Sequence, residues 1–469
     1  MGAFRRDRGG EAEGVRSGLG RGPGDLTQGP IGRQLLTFAV PLFAGSLIQL
    51  LYNTVDLIFV SHILGKEASA AVGASGLIVS CLLGFFTGLG VGIGVVTAKT
   101  VGQGKVPQLD RILHSAAGLT VLLAAVSTAV CLLLALRFLV WMRTPASVMD
   151  SAVVYLRLYL LSLLSIVSYN VGAEILRAFG DSRTPMLYQL AGGIANVLGN
   201  TLFIYLLDWG VRGAALSTVC SQSLAALLVV RRLRTLREDC CLRLSRIHIE
   251  WYICKKFLAV GLPAAVQSIM ITLSNIIVQA SINQLGVDSI AAFTAYFKVE
   301  NFVYLPIVAL GQAASTFTSQ NVGAARMDRV ERGARTLLAM GLAVTALLSG
   351  LTVLFSRAAF GLFATEPEVV ALGCQIARIV FPFYFLYAIL ESLSSVIRGA
   401  GKALPVTAVT VAGLCVVRIV LLRLIVHAFP GAAGVAAVYP LTWACTSSCL
   451  ALYYRSGRWV PDGLADQDA

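Results

Sequence analysis

Charge is what this sequence has least of. Asp, Glu, Lys and Arg make up 13% of its 469 residues, against roughly 25% in a soluble domain. That leaves too little polar surface to coat a water-soluble globule of this size. Histidine is also scarce, with four residues, and the ten cysteines show no metal-ligand spacing. Most cysteines lie inside apolar runs (Cys81, Cys131, Cys220, Cys415), while Cys240 and Cys241 adjoin in a basic connection. They read as small apolar filler in a reducing environment. No phosphate loop, nucleotide-binding domain, zinc spacing or catalytic triad is present, so the chain does not read as an enzyme, and neither a metal nor a cofactor is expected. Gly90, Gly92 and Gly94 fall inside an apolar run and read as helix packing. Period-two alternation is missing, which excludes the strands of a membrane barrel. The Gly/Arg-rich start has no apolar centre and so is no secretory signal.

What the chain has in quantity is apolar sequence: 57% of its residues are hydrophobic. Long charge-free runs such as 120–136 and 186–207 match the roughly 20 apolar residues a spanning helix needs. Lipid offers no partner to an open backbone, so helices are the spanning element. Twelve such runs are read, at 34–62, 69–98, 113–136, 150–175, 186–207, 212–231, 257–284, 290–320, 334–359, 369–396, 404–427 and 432–454. The net charge of +13 does not point to nucleic acid, because the basic residues sit in short connections between these runs. With the N-terminus inside, 27 of the 37 Lys and Arg fall on the cytoplasmic side, which is the orientation the positive-inside rule selects. The expectation is a multi-pass protein of the plasma (inner) membrane with both termini cytoplasmic, and nothing requires more than a monomer in the lipid bilayer.

The chain repeats itself. At a shift of 221 residues, Ala70 and Ala71 meet Ala291 and Ala292, and Val101-Gly102 meets Val322-Gly323. Arg111 meets Arg332, Arg177 and Gly180 meet Arg398 and Gly401, and Gly213 meets Gly434. With one residue of slip, Pro41 and Asn53 meet Pro263 and Asn275. An even number of spans in each half gives both halves the same orientation. The expected fold is therefore an all-α membrane protein, with twelve transmembrane helices in two six-helix lobes related by a pseudo-two-fold along the membrane normal. Its divisions are a disordered tail over 1–32, an N-lobe over 33–231, a cytoplasmic linker over 232–256, a C-lobe over 257–455 and a C-terminal tail over 456–469.

Polar residues inside the spans mark candidate sites. Gln49, Tyr52, Asn53 and Asp56 share one face of the first span. A carboxylate at such depth costs about 2.5–3.5 kcal/mol on insertion scales, and requires a water-filled cavity, a partner or a bound proton. The fifth span repeats the pattern with Gln189, Gly192, Gly193, Asn196 and Asn200, and Tyr155 and Thr218 complete a polar lining. In the second half, Asn275, Lys298, Glu300, Glu391 and Arg418 suggest an internally paired network. That network is either structural or a cation or substrate site. Pro41 and Pro263 lie in matching helices and read as hinge points.

Several segments resemble the multidrug and toxic-compound extrusion (MATE) family: PLFAGSLIQLLYNTVDLIFVSHILG from Pro41, TAKTVGQGK from Thr97 and ILRAFGDSRTP from Ile175. SQNVGAAR from Ser319 and VIRGAGKALP from Val396 repeat the pattern in the second half. The resemblance implies an antiporter that exports cationic or amphipathic small molecules in exchange for protons or sodium. It implies Asp56 as the coupling acid, with Gln49, Tyr155, Asn196 and Thr218 around it, and Pro41 as the bending point of the first span. Asn200 stands where the family branch often has a second acid, which leaves Asp56 as the acid of the first lobe. A lipid-linked precursor flippase of the same superfamily is the alternative, and would need Arg378, Arg418 and Lys298 to line one cavity. A channel fits the duplicated lobes less well. The orientation makes a direct prediction. A reporter active only in the cytoplasm is expected to work when fused after Arg455 and to be silent when inserted after Arg143, in a colony-level activity assay.

Overall fold

The computed structural model describes residues 25–236 and 240–461. Among them are sixteen α-helices and no β-strand. The first half contains α1 (Ile31–Phe59), α2 (Gly65–Gln103), α3 (Val106–Trp141), α4 (Ala146–Leu161), α5 (Leu163–Ala178), α6 (Arg183–Asn200) and α7 (Gly210–Arg234). The second half contains α8 (Trp251–Asn283), α9 (Val287–Gly323), α10 (Met327–Leu354), the short α11 (Ser356–Gly361), α12 (Pro367–Val380), α13 (Tyr384–Gly399), α14 (Ala403–Val411), α15 (Arg418–Ala428) and α16 (Ala432–Arg455). Every apolar run of the sequence is helical. Nine continuous helical stretches of the described residues are long and apolar enough to cross a membrane, or ten if α4 and α5, bent by 42°, form one span. Many large apolar side chains face outward, among them Leu133 and Leu227, as lipid contact requires.

The backbone carries the repeat. Left-handed corners recur at the 221-residue shift: Gly65 with Gly286, Gly180 with Gly401, and Gly210 with Gly431. Gly104 is matched by Ala325, which holds φ 57° at the steric cost an L-residue incurs there. Three π-helical turns interrupt the α-helices, at Val60–Leu64, Thr201–Leu206 and Ala412–Val417. The first falls within the interval where the repeat slips by one residue, while α8, the counterpart of α1, is α-helical throughout. A π turn accommodates one extra residue in a helix, so the slip has a structural cause.

The halves meet through small residues. A Cβ on Gly88 would lie 2.3 Å from Ala265 N, and one on Gly92 would lie 2.4 Å from Phe257 O, so α2 and α8 touch backbone to backbone. At the basic end of the bundle the contact is reciprocal. A Cβ on Gly102 would lie 1.9 Å from Gln320 O, and one on Gly323 would lie 2.0 Å from Lys99 O. Both the glycines and their partners correspond at the 221-residue shift.

The boundaries at both ends and in the middle need correction. Residues 1–24 of the expected N-terminal tail lie outside the described residues, but residues 25–32 are part of the fold. Leu26 is buried, its N–H donates to Gln320 Oε1 at 3.0 Å, and its carbonyl accepts from Asn321 Nδ2 at 3.2 Å. Residues 462–469 also lie outside, whereas Trp459 is buried and stacks on Tyr454 at 4.8 Å. The linker is shorter than 232–256 because α7 runs to Arg234 and α8 starts at Trp251. It docks on α3: Arg243 N–H donates to His114 Nε2 at 3.1 Å, and Arg111 Nε donates to Glu250 Oε1 at 2.7 Å. Hydrogen bonds from Arg111 and His248 hold the Glu250 carboxyl well below its usual range, at about 2, so it stays ionised at neutral pH. The polar residue types of this stretch concealed apolar anchors, Leu242 and Cys240, both buried.

The seam makes a quantitative prediction. Gly102→Leu is expected to destabilise the protein in detergent by about 1–3 kcal/mol, the usual cost of overpacking. Gly73→Ala, where a Cβ meets nothing within 4 Å, is expected to leave the thermal midpoint unchanged or slightly raised.

Candidate functional site

Three helices of the first half build a polar chain around Asp56. Asp56 lies four residues before the first π turn, and Val60 N–H bonds both Asp56 O and Leu57 O at that junction. α6 places Asn196 and Asn200 one turn apart, both fully buried. Asn200 Nδ2 donates to Asp56 Oδ1 at 2.8 Å and to Asn196 Oδ1 at 3.2 Å. Asn196 Nδ2 donates to Ser217 Oγ on α7 at 3.2 Å, and Ser217 Oγ donates to Asn196 O at 3.0 Å. The packing is close because the helices are small-faced there: a Cβ on Gly193 would meet Tyr52 at 3.6 Å and one on Gly192 would meet Ala225 at 3.3 Å. Asn200 Oδ1 is buried without a hydrogen-bond partner. An unsatisfied acceptor beside a half-buried carboxylate is a strong place for a proton donor or a cation.

A cavity with about 1060 Å³ of empty volume opens one turn along α1. Pro41, Gln49 and Tyr52 line it, together with Glu174, Gln189 and Gln222. Tyr52 OH accepts from Gln222 Nε2 at 3.3 Å. Tyr155 and Tyr159 lie near enough to feel the charge of Asp56, with ring centroids 6.1 Å apart.

Not every expected residue joins this site. Asn53 is exposed, because the face of α1 that carries Asp56 toward α6 turns it away. Thr218 is buried, but its hydroxyl bonds its own helix at Ala214 O, 3.2 Å away. Pro41 is buried inside a continuous α1, and Pro263 is half-buried inside a continuous α8.

Asp56 is also not the first half's lone membrane acid. Glu174 on α5 lines the cavity and accepts from Arg177 at 2.8 Å. A glycine makes room for it: a Cβ on Gly94 would lie 2.9 Å from Glu174 Oε2. Gly311, one turn from the counterpart of Gly94, makes similar room for Glu391, whose Oε1 would lie 2.8 Å from an added Cβ. The two halves thus bring a carboxylate to nearly equivalent places. The signal in the sequence was an acid within an apolar run followed three residues later by Arg177.

The expected internally paired network of the second half does not form. Among the described residues no ion pair joins Lys298 or Arg418 to Glu300 or Glu391. Glu300 Oε1 accepts from Tyr384 OH at 3.2 Å, and Glu391 Oε1 accepts from Ser395 Oγ at 3.1 Å. Arg418 is buried, with its guanidinium over the Tyr439 ring at 5.1 Å and Nη1 donating to Asn275 Oδ1 at 3.2 Å. Lys298 is exposed and faces Phe363. Hydroxyls and ring faces satisfy these charges, where opposite charges were expected. Among the described residues no cluster of three or more His, Cys, Asp or Glu could hold a metal ion.

Comparison with known proteins gives a family model, MatE, that matches residues 41–202 and again 263–423. The chain is 27% identical over 438 residues to the "Probable multidrug resistance protein YpnP" of Bacillus subtilis, covering 93% of this chain and 97% of that one. It is 26% identical over 352 residues to the FAD transporter of Shewanella oneidensis, covering 73% and 77%. In fold it is similar to a MOP superfamily transporter from Pyrococcus furiosus noted for the reverse polarity of its binding pocket, with a TM-score of 0.87 at 23% identity over 95% of this chain and 99% of that one.

The Asp56–Asn200 bond is testable. Asn200→Leu removes the donor to a carboxylate, an interaction of about 1.5–3 kcal/mol. The variant is expected to reach the membrane yet transport at least about tenfold more slowly, as 1.4 kcal/mol corresponds to a factor of ten; initial rates in vesicles check this.

Proposed function

Since the chain belongs to the MatE family, a family of membrane transporters with multidrug efflux among its members, we propose that it is a secondary active antiporter. It would export cationic or amphipathic small molecules in exchange for protons or sodium, by alternating access. The observation that carries this reading is Asp56: a half-buried carboxylate held by Asn200, beside an unsatisfied oxygen and one turn from a polar cavity. Such a group binds a cation or proton when the site is closed off and releases it when water enters. Coupling follows if the exported cation competes for the same charge.

The reading includes twelve spans. The stretch Ile31–Gln103, 73 residues, would be about 110 Å long at 1.5 Å per residue, far beyond a hydrocarbon core of about 30 Å. It turns at Gly65 and so counts as two spans. The bent α4–α5 pair counts as one, as do α6 with its π turn and α14 with α15. The reciprocal Gly102 and Gly323 contacts support two six-helix lobes, α1–α7 and α8–α16, about a pseudo-two-fold along the membrane normal. The reading also has a monomer in the plasma membrane with both termini cytoplasmic. In that orientation the glycine seam closes the cytoplasmic end, and Pro41, bordering the cavity on α1, is the point at which opening would bend the helix.

A lipid-linked precursor flippase is less well supported. Arg378 and Lys298 are exposed and Arg418 is buried against Tyr439, so the three bases do not gather around one cavity. Dye efflux from energised vesicles tests the choice, under an imposed proton gradient and separately under a sodium gradient. Wild type is expected to export under one of them, and Asp56→Asn to fall to background under both while inserting at wild-type levels. Undiminished export by the variant would remove Asp56 from the mechanism. No dye movement by wild type under either gradient would instead favour the flippase.

A further inference from the structure

The repeat places two equivalent corners at the basic end of the bundle, and the described residues fill only one of them. In the second-half corner, Gln320, Asn321 and Arg329 hold the segment that leads into α1. Gln320 Oε1 and Asn321 Nδ2 bind the Leu26 peptide at 3.0 and 3.2 Å. Arg329 donates to Gly29 O at 2.8 Å and to Gln34 Oε1 at 2.6 Å. At the 221-residue shift these three residues correspond to Lys99, Thr100 and Gln108. With the one-residue slip, Gln34 corresponds to Lys256.

In the first-half corner the matching segment, which leads into α8, goes elsewhere. It lies on α3, where an added Cβ on Gly118 would meet His248 O and Ile249 at 2.9 Å. Among the described residues no segment enters the corner it left. What remains is a cavity with about 890 Å³ of empty volume, lined by the same corresponding residues, Lys99, Thr100, Gln108 and Lys256. Among the described residues no carboxylate lines it. Gly401, the neighbour of Lys402 in the chain, also lines it. Below this polar rim the walls are apolar, formed by Val95, Ile112 and Val260 among others.

We propose that this cavity binds an anionic phospholipid, its phosphate between Lys99 and Lys256 and an acyl chain along the apolar wall. The chemistry is a phosphate ester with an apolar tail, because a cationic rim above an aliphatic wall at a membrane surface matches both parts. Thr100 and the amides of Gln103 and Gln108 supply neutral hydrogen-bonding groups for the headgroup. Lys99 belongs to the first half and Lys256 to the second, so the phosphate bridges the halves beside the Gly102–Gly323 seam. The lipid does for this corner what the Leu26 peptide does for the other. The proposal is independent of the transported substrate and the coupling ion.

Native mass spectrometry of the full chain in neutral detergent tests it, with phosphatidylglycerol and phosphatidylcholine as probes and inorganic phosphate as competitor. Wild type is expected to retain phosphatidylglycerol and not phosphatidylcholine. At about 1 kcal/mol per lysine near a membrane surface, Lys256→Gln is expected to weaken retention about fivefold and Lys99→Gln with Lys256→Gln about 30-fold. Lys255→Gln, on the exposed neighbouring residue, is expected to behave as wild type. Equal retention by Lys256→Gln and wild type overturns the site. Complete displacement of the lipid by millimolar inorganic phosphate overturns the lipid assignment and makes the cavity a site for free phosphate. Should the double variant fail to elute as a single folded species, the Lys256→Gln measurement decides alone.

Discussion

Two helices that cross at the basic end of the bundle each lack a side chain where the other's backbone passes. Gly102 lies against Gln320 O and Gly323 lies against Lys99 O, at distances no Cβ tolerates. Lipid supplies no hydrophobic force to press helices together, so their association relies on close packing of small residues. The contact fixes how near α2 and α9 can come. Through them it fixes the placing of α1 and α8, which pack on the opposite member of the pair, and of the corners beneath. It is also self-complementary: one surface serves both halves, as in a two-fold dimer.

The charged groups follow from that arrangement. With the interface between halves devoted to glycine and alanine, carboxylates are displaced into the interior of each half. Gly94 and Gly311 show the same economy of space there, each leaving room for an acid from the neighbouring helix. Asp56, Glu174, Glu300 and Glu391 are then stabilised in different ways: by an amide, an arginine, a phenol and a serine hydroxyl. The amide, the phenol and the hydroxyl offset desolvation without fixing the acid in one charge state, whereas Arg177 holds Glu174 as an ion pair. A direct buried ion pair would lock both partners as ions. That no ion pair reaches Glu300 or Glu391 among the described residues is therefore compatible with charge that moves, which an ion-coupled cycle requires.

Helices and their duplication were legible because lipid forces long apolar runs and positive connections; their limits were less so, since the third helix runs from Val106 to Trp141, beyond the charge-free run that marked it. Pro41, Gln49, Tyr52, Asp56, Asn196 and Asn200 were legible because three- and four-residue spacing puts them on shared faces. What connects them was less so: Asp56 and Asn200 are 144 residues apart, and no local pattern says that one amide serves the other's carboxylate. Asn53 illustrates the limit, since a helix face about 100° wide includes residues that end up on either side of the contact. Lys298 and Arg418 looked alike as charges within spans, yet one reaches the surface along a flexible stem and the other lies over an aromatic ring. Glu174 was hidden by its own partner, because Arg177 three residues on made the run look like an anchored helix end. Leu26 was hidden by its surroundings: a single apolar residue in a Gly-rich stretch carries no periodicity, and only the folded corner gives it a place.

The π turn at Val60–Leu64 has a meaning beyond local geometry. The two halves differ there by a single residue, the first half having one more. In a loop such an insertion would be absorbed without trace. In a helix it rotates everything after it by about 100° relative to everything before it, and the widened turn absorbs that rotation so that the corner at Gly65 still aligns with Gly286. One residue's difference thus gives the helix of Asp56 a different last turn from its counterpart α8, while the seam is common to both halves. The smallest possible difference in length is enough to make two otherwise matching helices present different groups to their neighbours.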